Sequence, residues 1–123
     1  MALLFLLWFG ATAQVPQVPD DIVQSLKTGN SRMLSEFFNQ NIELVILDND
    51  NVYSKAQAQQ IVTNFFVKYQ PESFNVLHQG GKEDASHVIG NLKTSGGTFR
   101  VYFLLKTSGG KAIIHQLRIE KQG

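Results

Sequence analysis

The fold of this 123-residue chain is decided by two apolar runs near its end. They read Thr-Phe-Arg-Val-Tyr-Phe-Leu-Leu-Lys at residues 98–106 and Lys-Ala-Ile-Ile-His-Gln-Leu-Arg-Ile-Glu at residues 111–120. β-Branched and aromatic residues dominate both runs, and the intervening Gly109-Gly110 pair is typical of a tight turn. The stretch therefore predicts a β-hairpin with one apolar face that other elements must cover.

Two further strands are predicted just before this hairpin, at residues 73–79 and 85–94, with glycine turns at residues 80–81 and 96–97. The sequence Lys-Thr-Ser-Gly-Gly occurs at residues 93–97 and again at residues 106–110. A phosphate-binding loop leads from a strand into a helix, whereas both of these copies connect strand to strand. We interpret them as turns.

The first half of the chain predicts a helical hairpin. A helix opens at Pro19 and ends at Gly29, because proline is tolerated in a first helical turn and glycine favours a helix end. A second helix starts at Asn30 or Ser31. Its apolar stripe is Met33, Leu34, Phe37 and Phe38.

A strand at residues 42–47, a turn at residues 48–51 and a third helix follow. Ser54 and Gln57 have the spacing of a capping box, and Pro71 stops the helix. The helix has the clearest periodic pattern in the chain, formed by Ala58, Ile61, Val62, Phe65, Phe66 and Tyr69. The element order predicts an α+β half-open cone: a helical hairpin plus one long helix packed on a strongly curved antiparallel sheet.

The N-terminus predicts export. Residues 1–9 are wholly apolar and too few to span a bilayer, and Ala11 and Ala13 fit a signal peptidase site. We expect a signal peptide at residues 1–13, an extended lead-in at residues 14–19 and a single domain at residues 20–123. The alternative is a buried N-terminal strand or helix. With cleavage, we expect a periplasmic or extracellular protein that does not enter the membrane.

Composition narrows the function classes. The chain has no cysteine, which excludes disulfides and thiol chemistry, and its net charge of +1 comes from scattered basic residues rather than a basic face. We therefore expect no nucleic-acid partner. Asp48-Asn49-Asp50 imitates the start of a calcium loop, but Tyr53 and Gln59 stand where that loop needs glycine and glutamate. We expect neither a metal nor a cofactor.

Five stretches carry a family resemblance: Pro-Asp-Asp-Ile at residues 19–22, Asn-Val-Tyr-Ser-Lys-Ala-Gln-Ala at residues 51–58, Leu-His-Gln-Gly-Gly at residues 77–81, Phe-Arg-Val-Tyr-Phe at residues 99–103 and Ile-His-Gln-Leu-Arg-Ile-Glu at residues 114–120. They resemble a bacterial family of exported proteins, domain of unknown function 4783, within the nuclear transport factor 2-like superfamily. The resemblance implies a nuclear transport factor 2-like cone over residues 20–120 and an exported protein, and it implies no activity. Isomerases with this fold place a carboxylate base inside the cone, whereas strand alternation puts Glu43 on the solvent side. We expect no catalytic residue.

The interior of the cone is the first candidate site. Alternation places His78 and His115 inward, His115 on one face with Ile113, and we expect a ligand pocket lined by Phe66, His78, Phe99 and His115. The simpler interpretation is that each histidine makes one hydrogen bond and shapes the core.

The opposite face of the terminal hairpin is the second candidate site. Arginine and aromatic residues are favoured at interfaces, and this face carries Arg100, Tyr102, Gln116 and Arg118. We expect it to form a homodimer, with an ordinary solvated sheet face as the alternative. The sequence thus predicts a non-enzymatic module that binds a small molecule or a protein. The alternatives are a homodimeric interaction protein with a filled cone and an isomerase-like or hydrolase-like enzyme.

Overall fold

The computed structural model describes residues 17–122. The described helices and strands are, in chain order, α1 Asp20–Thr28, α2 Ser31–Ser35, β1 Phe38–Ile46, β2 Asn49–Ser54, α3 Lys55–Lys68, β3 Pro71–Gly81, β4 Ala85–Thr94, β5 Gly97–Ser108 and β6 Lys111–Lys121. The expected signal peptide and the first half of the lead-in lie outside the described residues. Within the described part, no helix is both long and apolar enough to cross a membrane.

The six strands form one curved sheet in the order β2-β1-β6-β5-β4-β3. All neighbouring strands are antiparallel except β1 and β6, which are parallel. The terminal hairpin is confirmed: Ser108 pairs with Lys111 around a two-residue turn in which Gly109 has φ 58° and Gly110 has φ 78°. Two positive φ angles in succession require glycine-like residues, which explains the Gly-Gly pair.

The helices pack on one face of the sheet, with α1 against β3, α3 against β1, and α2 against both other helices. Helix α1 ends as expected at Gly29, which has φ 71°. The capping box of α3 is also confirmed, because Ser54 Oγ accepts from Gln57 N at 3.2 Å and Gln57 Oε1 accepts from Ser54 N at 3.1 Å. The buried face of α3 consists of Ala58, Val62, Phe65 and Phe66.

The expected extension of the second helix through Phe38 is wrong. Helix α2 stops at Ser35, and Phe38 begins β1. The cause is a tertiary one: Phe38 pairs with Ile114 of β6, and Ile114 N donates to Phe37 O at 2.7 Å. Phe37 and Phe38 therefore join the parallel pairing of β1 with β6, although their spacing alone favours a helix.

The expected turn at residues 48–51 is also wrong, because β2 begins at Asn49. This edge strand pairs with β1 on one side only and is mostly exposed, so it lacks the apolar alternation that marks a half-buried strand. The expected turn at Gly80-Gly81 likewise belongs to β3, and the chain reverses at residues 82–84 instead.

Candidate functional site

The interior of the cone is filled with side chains. Phe99 and Phe103 have no accessible surface, and Phe65 is 3% exposed. The ring of Phe99 meets the ring of Phe65 edge-on at 5.0 Å and that of Tyr69 at 4.8 Å between centroids. These contacts are those of a packed aromatic core, and they occupy the space in which a pocket was expected.

The four expected pocket residues do not converge in the structure. Phe99 lies in the aromatic core, whereas Phe66 lines a surface depression of about 370 Å³ between α1 and α3. His78 and His115 lie on other parts of the sheet, as described below. The four residues do not line one shared pocket. Small-molecule binding by these residues stays a prediction.

The inward position expected for His115 is wrong because β6 contains a bulge. Leu104 pairs with Gln116 but Leu105 pairs with Ile114, so His115 is an extra residue in the ladder. The bulge shifts the alternation by one position, and Ile114 rather than Ile113 points into the core.

His115 has a defined local environment nonetheless. The amide nitrogen of Asn39 lies 3.4 Å from His115 Nδ1. This contact is a hydrogen bond in the tautomer that carries its proton on Nε2, because an amide N–H donates and Nδ1 is then the acceptor. Burial lowers the pKa of His115 from 6.5, and the positive charge of Lys106 lowers it further.

The inward position expected for His78 is wrong for a similar reason. Val76 pairs with Gly90 and His78 pairs with Ile89, which leaves Leu77 as an extra residue in β3. The bulge turns His78 to the outer face, where it is exposed. Its ring lies 5.6 Å from that of His87 between centroids, with 36° between the ring planes.

The face of the sheet that the helices leave uncovered, called here the outer face, carries two continuous rows of side chains. Strand pairing defines the Tyr102 row as Asp50, Val45, Arg118, Tyr102, Ile89 and His78, in sheet order from β2 to β3. It defines the Leu104 row as Val52, Glu43, Gln116, Leu104, His87 and Gly80. Strand alternation thus places Arg100, Tyr102, Gln116 and Arg118 on one surface, as expected from the sequence.

Aromatic and charged side chains of the outer face contact one another. The Tyr102 and His87 rings stack at 6.3 Å between centroids with 22° between planes. Arg118 Nη2 lies 3.2 Å from Glu120 Oε1, and both side chains remain about half exposed. A weakly stabilising exposed ion pair of this kind leaves Arg118 able to meet another surface.

Three further features bear on possible sites elsewhere in the molecule. Glu43 is exposed on the outer face and so lies outside the cone, as expected. Among residues 17–122, no cluster of three or more histidine, cysteine, aspartate or glutamate residues has a metal-binding arrangement. A depression of about 660 Å³ lies between the β3–β4 and β5–β6 turns, lined by Gly81, Lys82, Glu83, Asp84, Thr107, Gly109 and Gly110.

The curved six-stranded sheet with three helices on one face is a nuclear transport factor 2-like fold. A solved structure whose name begins Rd1NTF2_05 has this architecture: the TM-score is 0.67 at 12% identity over 81% of this chain and 90% of that chain. This likeness shows the fold alone.

The chain belongs to the family described as "Domain of unknown function (DUF4783)", whose model matches residues 19–120. A DUF4783 family protein from Bacteroides ovatus is 35% identical with a TM-score of 0.81, over 86% of this chain and 96% of that chain. One from Bacteroides uniformis is 34% identical with a TM-score of 0.81, over 87% of this chain and 99% of that chain. No curated protein matches the chain.

Proposed function

We propose that this protein is a non-enzymatic protein-interaction module whose outer face binds a second copy of the chain. The single observation that carries the proposal is the order of side chains along the Tyr102 and Leu104 rows. When each row is read from opposite edges of the sheet, Arg118 is equivalent in position to Tyr102, Val45 to Ile89 and Glu43 to His87, and each of these pairs can make a favourable contact.

Consider a two-fold axis that lies above the outer face, over the gap between β5 and β6, and runs parallel to the strands. It places β5 of the second copy over β6 of the first, β4 over β1 and β3 over β2. In the Tyr102 row, this operation sets Arg118 of one copy over Tyr102 of the other, and Val45 over Ile89. Arginine over a tyrosine ring is a favourable cation–π contact. Because each such contact occurs twice, the interface is isologous, as a closed dimer requires.

The same two-fold operation acts on the Leu104 row. Glu43 of β1 is set over His87 of β4 in the second copy, and Gln116 is set over Leu104. The axis runs above the gap between the two central strands, so β5 and β6 make the contacts nearest to it. Tyr102 and Arg118 therefore supply the centre of the interface, where binding energy concentrates.

The exposure of the outer face supports the same proposal. Tyr102, Leu104, Ile89 and Val45 are only half-buried in one chain, although they lie at the middle of the sheet. Burying this apolar surface stabilises an association by roughly 25 cal/mol for each Å² removed from water. The filled interior favours this function over a ligand enclosed in the cone.

The leader supports a proposed location outside the cytoplasm. An apolar run at residues 1–9 followed by Ala11 and Ala13 is the pattern of a cleaved export signal. N-terminal sequencing of the mature chain tests the proposal, with Gln14 as the expected first residue.

Sedimentation equilibrium at tens of micromolar tests the interaction. The unmodified chain should be a dimer, and Tyr102→Glu should weaken the dimer by about 30-fold or more, as expected of a central contact residue. Val67→Glu is the matched control, because Val67 is an apolar side chain on α3 that is 73% exposed and remote from the outer face. A monomeric wild-type chain, or equal dimerisation of wild type and Tyr102→Glu, would contradict the proposal.

A further inference from the structure

Gly80 keeps a small space open on the outer face between two imidazoles. It pairs directly with His87 across β3 and β4, and His78 precedes it by two residues on its own strand. Gly80 lacks the positive φ found at its neighbour Gly81, so its backbone does not itself demand glycine. Glycine is favoured at this position because the rings of His78 and His87 leave little room for a Cβ atom.

The Nε2 atoms of both rings converge on that space. A Cβ atom on Gly80 would lie 3.0 Å from His87 Nε2 and 3.1 Å from His78 Nε2. The two Nε2 atoms are therefore at most about 6 Å apart. An ion that lies above the strand and is bound by both nitrogens at about 2.0–2.1 Å needs them roughly 3–4 Å apart, a separation that small rotations of two surface side chains can reach.

We infer that His78 and His87 form a two-imidazole binding site for a divalent transition-metal ion of the Cu²⁺, Ni²⁺ or Zn²⁺ class. Imidazole is a preferred ligand for these ions, and hard cations such as Ca²⁺ need oxygen ligands instead. No third histidine, cysteine or carboxylate joins this pair within residues 17–122, so water molecules complete the coordination.

Tyr102 acts as a positioning residue for this site. Its ring stacks on the His87 ring at 6.3 Å between centroids and restricts the orientations that the imidazole can take. Orientation of a metal-binding histidine by a neighbouring group raises metal affinity. Both ligands come from one chain, so the site does not need a second copy.

The site is tested by calorimetric titration of the untagged chain with Ni²⁺ at about pH 7.5, because metal ions bind the neutral form of an imidazole. We expect saturable binding of one ion per chain. Because two linked ligands bind far more tightly than either one alone, His78→Gln and His87→Gln should each weaken the affinity by about 100-fold. Gly80→Ala should also weaken it, because the new methyl group occupies the point at which the nitrogens converge.

His115→Gln is the matched control, since it removes the remaining histidine, which contacts Asn39. It should leave the Ni²⁺ affinity unchanged. A spectroscopic readout, the paramagnetic resonance spectrum of bound Cu²⁺, should show two nitrogen ligands in the wild type and one in His78→Gln. Equal affinity of wild type and either single variant at His78 or His87 would overturn the inference, as would no saturable binding below about 1 mM, the range of a lone weak ligand.

Discussion

The ring of Phe74 occupies the space directly above Gly90, so that a Cβ on Gly90 would lie only 2.5 Å from Phe74 Cζ. Phe74 is 1% exposed and pairs with Leu92 two residues further along β4. A glycine in the middle of a strand normally weakens it, but here its missing side chain admits an aromatic ring. The contact fixes β3 and β4 together at the edge of the core.

Gly90→Ala should therefore destabilise the fold. The added methyl group cannot fit unless Phe74 moves, and overpacking of this kind costs about 1–3 kcal/mol. Urea denaturation measures the change in the free energy of unfolding. Lys93→Ala on the same strand is an exposed control that should change it by less than about 0.5 kcal/mol. Equal stability of Gly90→Ala and wild type would show that the ring is loosely held.

Ser54→Ala should shorten or loosen the start of α3. Ser54 Oγ accepts from Gln57 N, so the substitution leaves an N–H of the first turn without its partner. Loss of such a cap lowers the free energy of unfolding by about 1 kcal/mol. Thermal unfolding followed by circular dichroism measures it. Gln60→Ala on the exposed side of the same helix is the control and should be nearly neutral.

The sequence predicts the elements whose signals are local. The terminal hairpin has a Gly-Gly turn between two apolar runs, and α3 has both a capping box and a regular apolar stripe. Each of these signals lies in one continuous stretch of the sequence, and each element is confirmed.

The bulges, and the histidine positions that follow from them, could not be predicted because they depend on pairing between distant strands. The bulges at Leu77 and His115 arise where β3 and β6 adjust to their neighbours in a curved sheet, and neither leaves a sequence pattern. Each bulge shifts the alternation by one position. That shift moves His78 to the outer face, and it is also what brings His78 beside His87.

The free energy of unfolding should depend on pH through His115. Its pKa in the folded chain is lowered from 6.5 by burial and then by Lys106, so the unfolded chain binds a proton more readily. Neutral His115 therefore makes its full contribution to the free energy of unfolding above about pH 6.5. That contribution declines as the pH falls from there toward the pKa of His115 in the folded chain. Urea denaturation across this window should show a shallower slope in His115→Gln than in wild type.

Lys106→Ala provides the internal check on that prediction. Removing this positive charge should raise the pKa of His115 part of the way toward 6.5, because burial remains as the larger cause. Nuclear magnetic resonance of the His115 ring proton measures the pKa directly. A stability difference between wild type and His115→Gln that does not vary with pH would contradict this account.

The register of the proposed dimer can be tested by exchanging charges between two strands. Under the two-fold axis, Glu43 of one copy faces His87 of the other. Glu43→Arg should weaken dimerisation by roughly fivefold, as expected for an exposed pair worth about 1 kcal/mol, because it removes the carboxylate that can accept a hydrogen bond from the His87 imidazole. His87→Glu alone should also weaken it, since two carboxylates then face each other.

The double variant Glu43→Arg with His87→Glu should recover most of the lost affinity, because the opposite charges again face each other across the interface. Sedimentation equilibrium at low salt and with a metal chelator present separates this effect from screening and from metal binding. Glu36→Arg is the matched control: Glu36 is exposed but lies at the end of α2, away from the outer face, and should leave the dimer unchanged. If the two losses of affinity simply add in the double variant, Glu43 and His87 do not face each other and this two-fold arrangement is excluded. Weakened dimerisation of Tyr102→Glu would still locate the interface on the outer face.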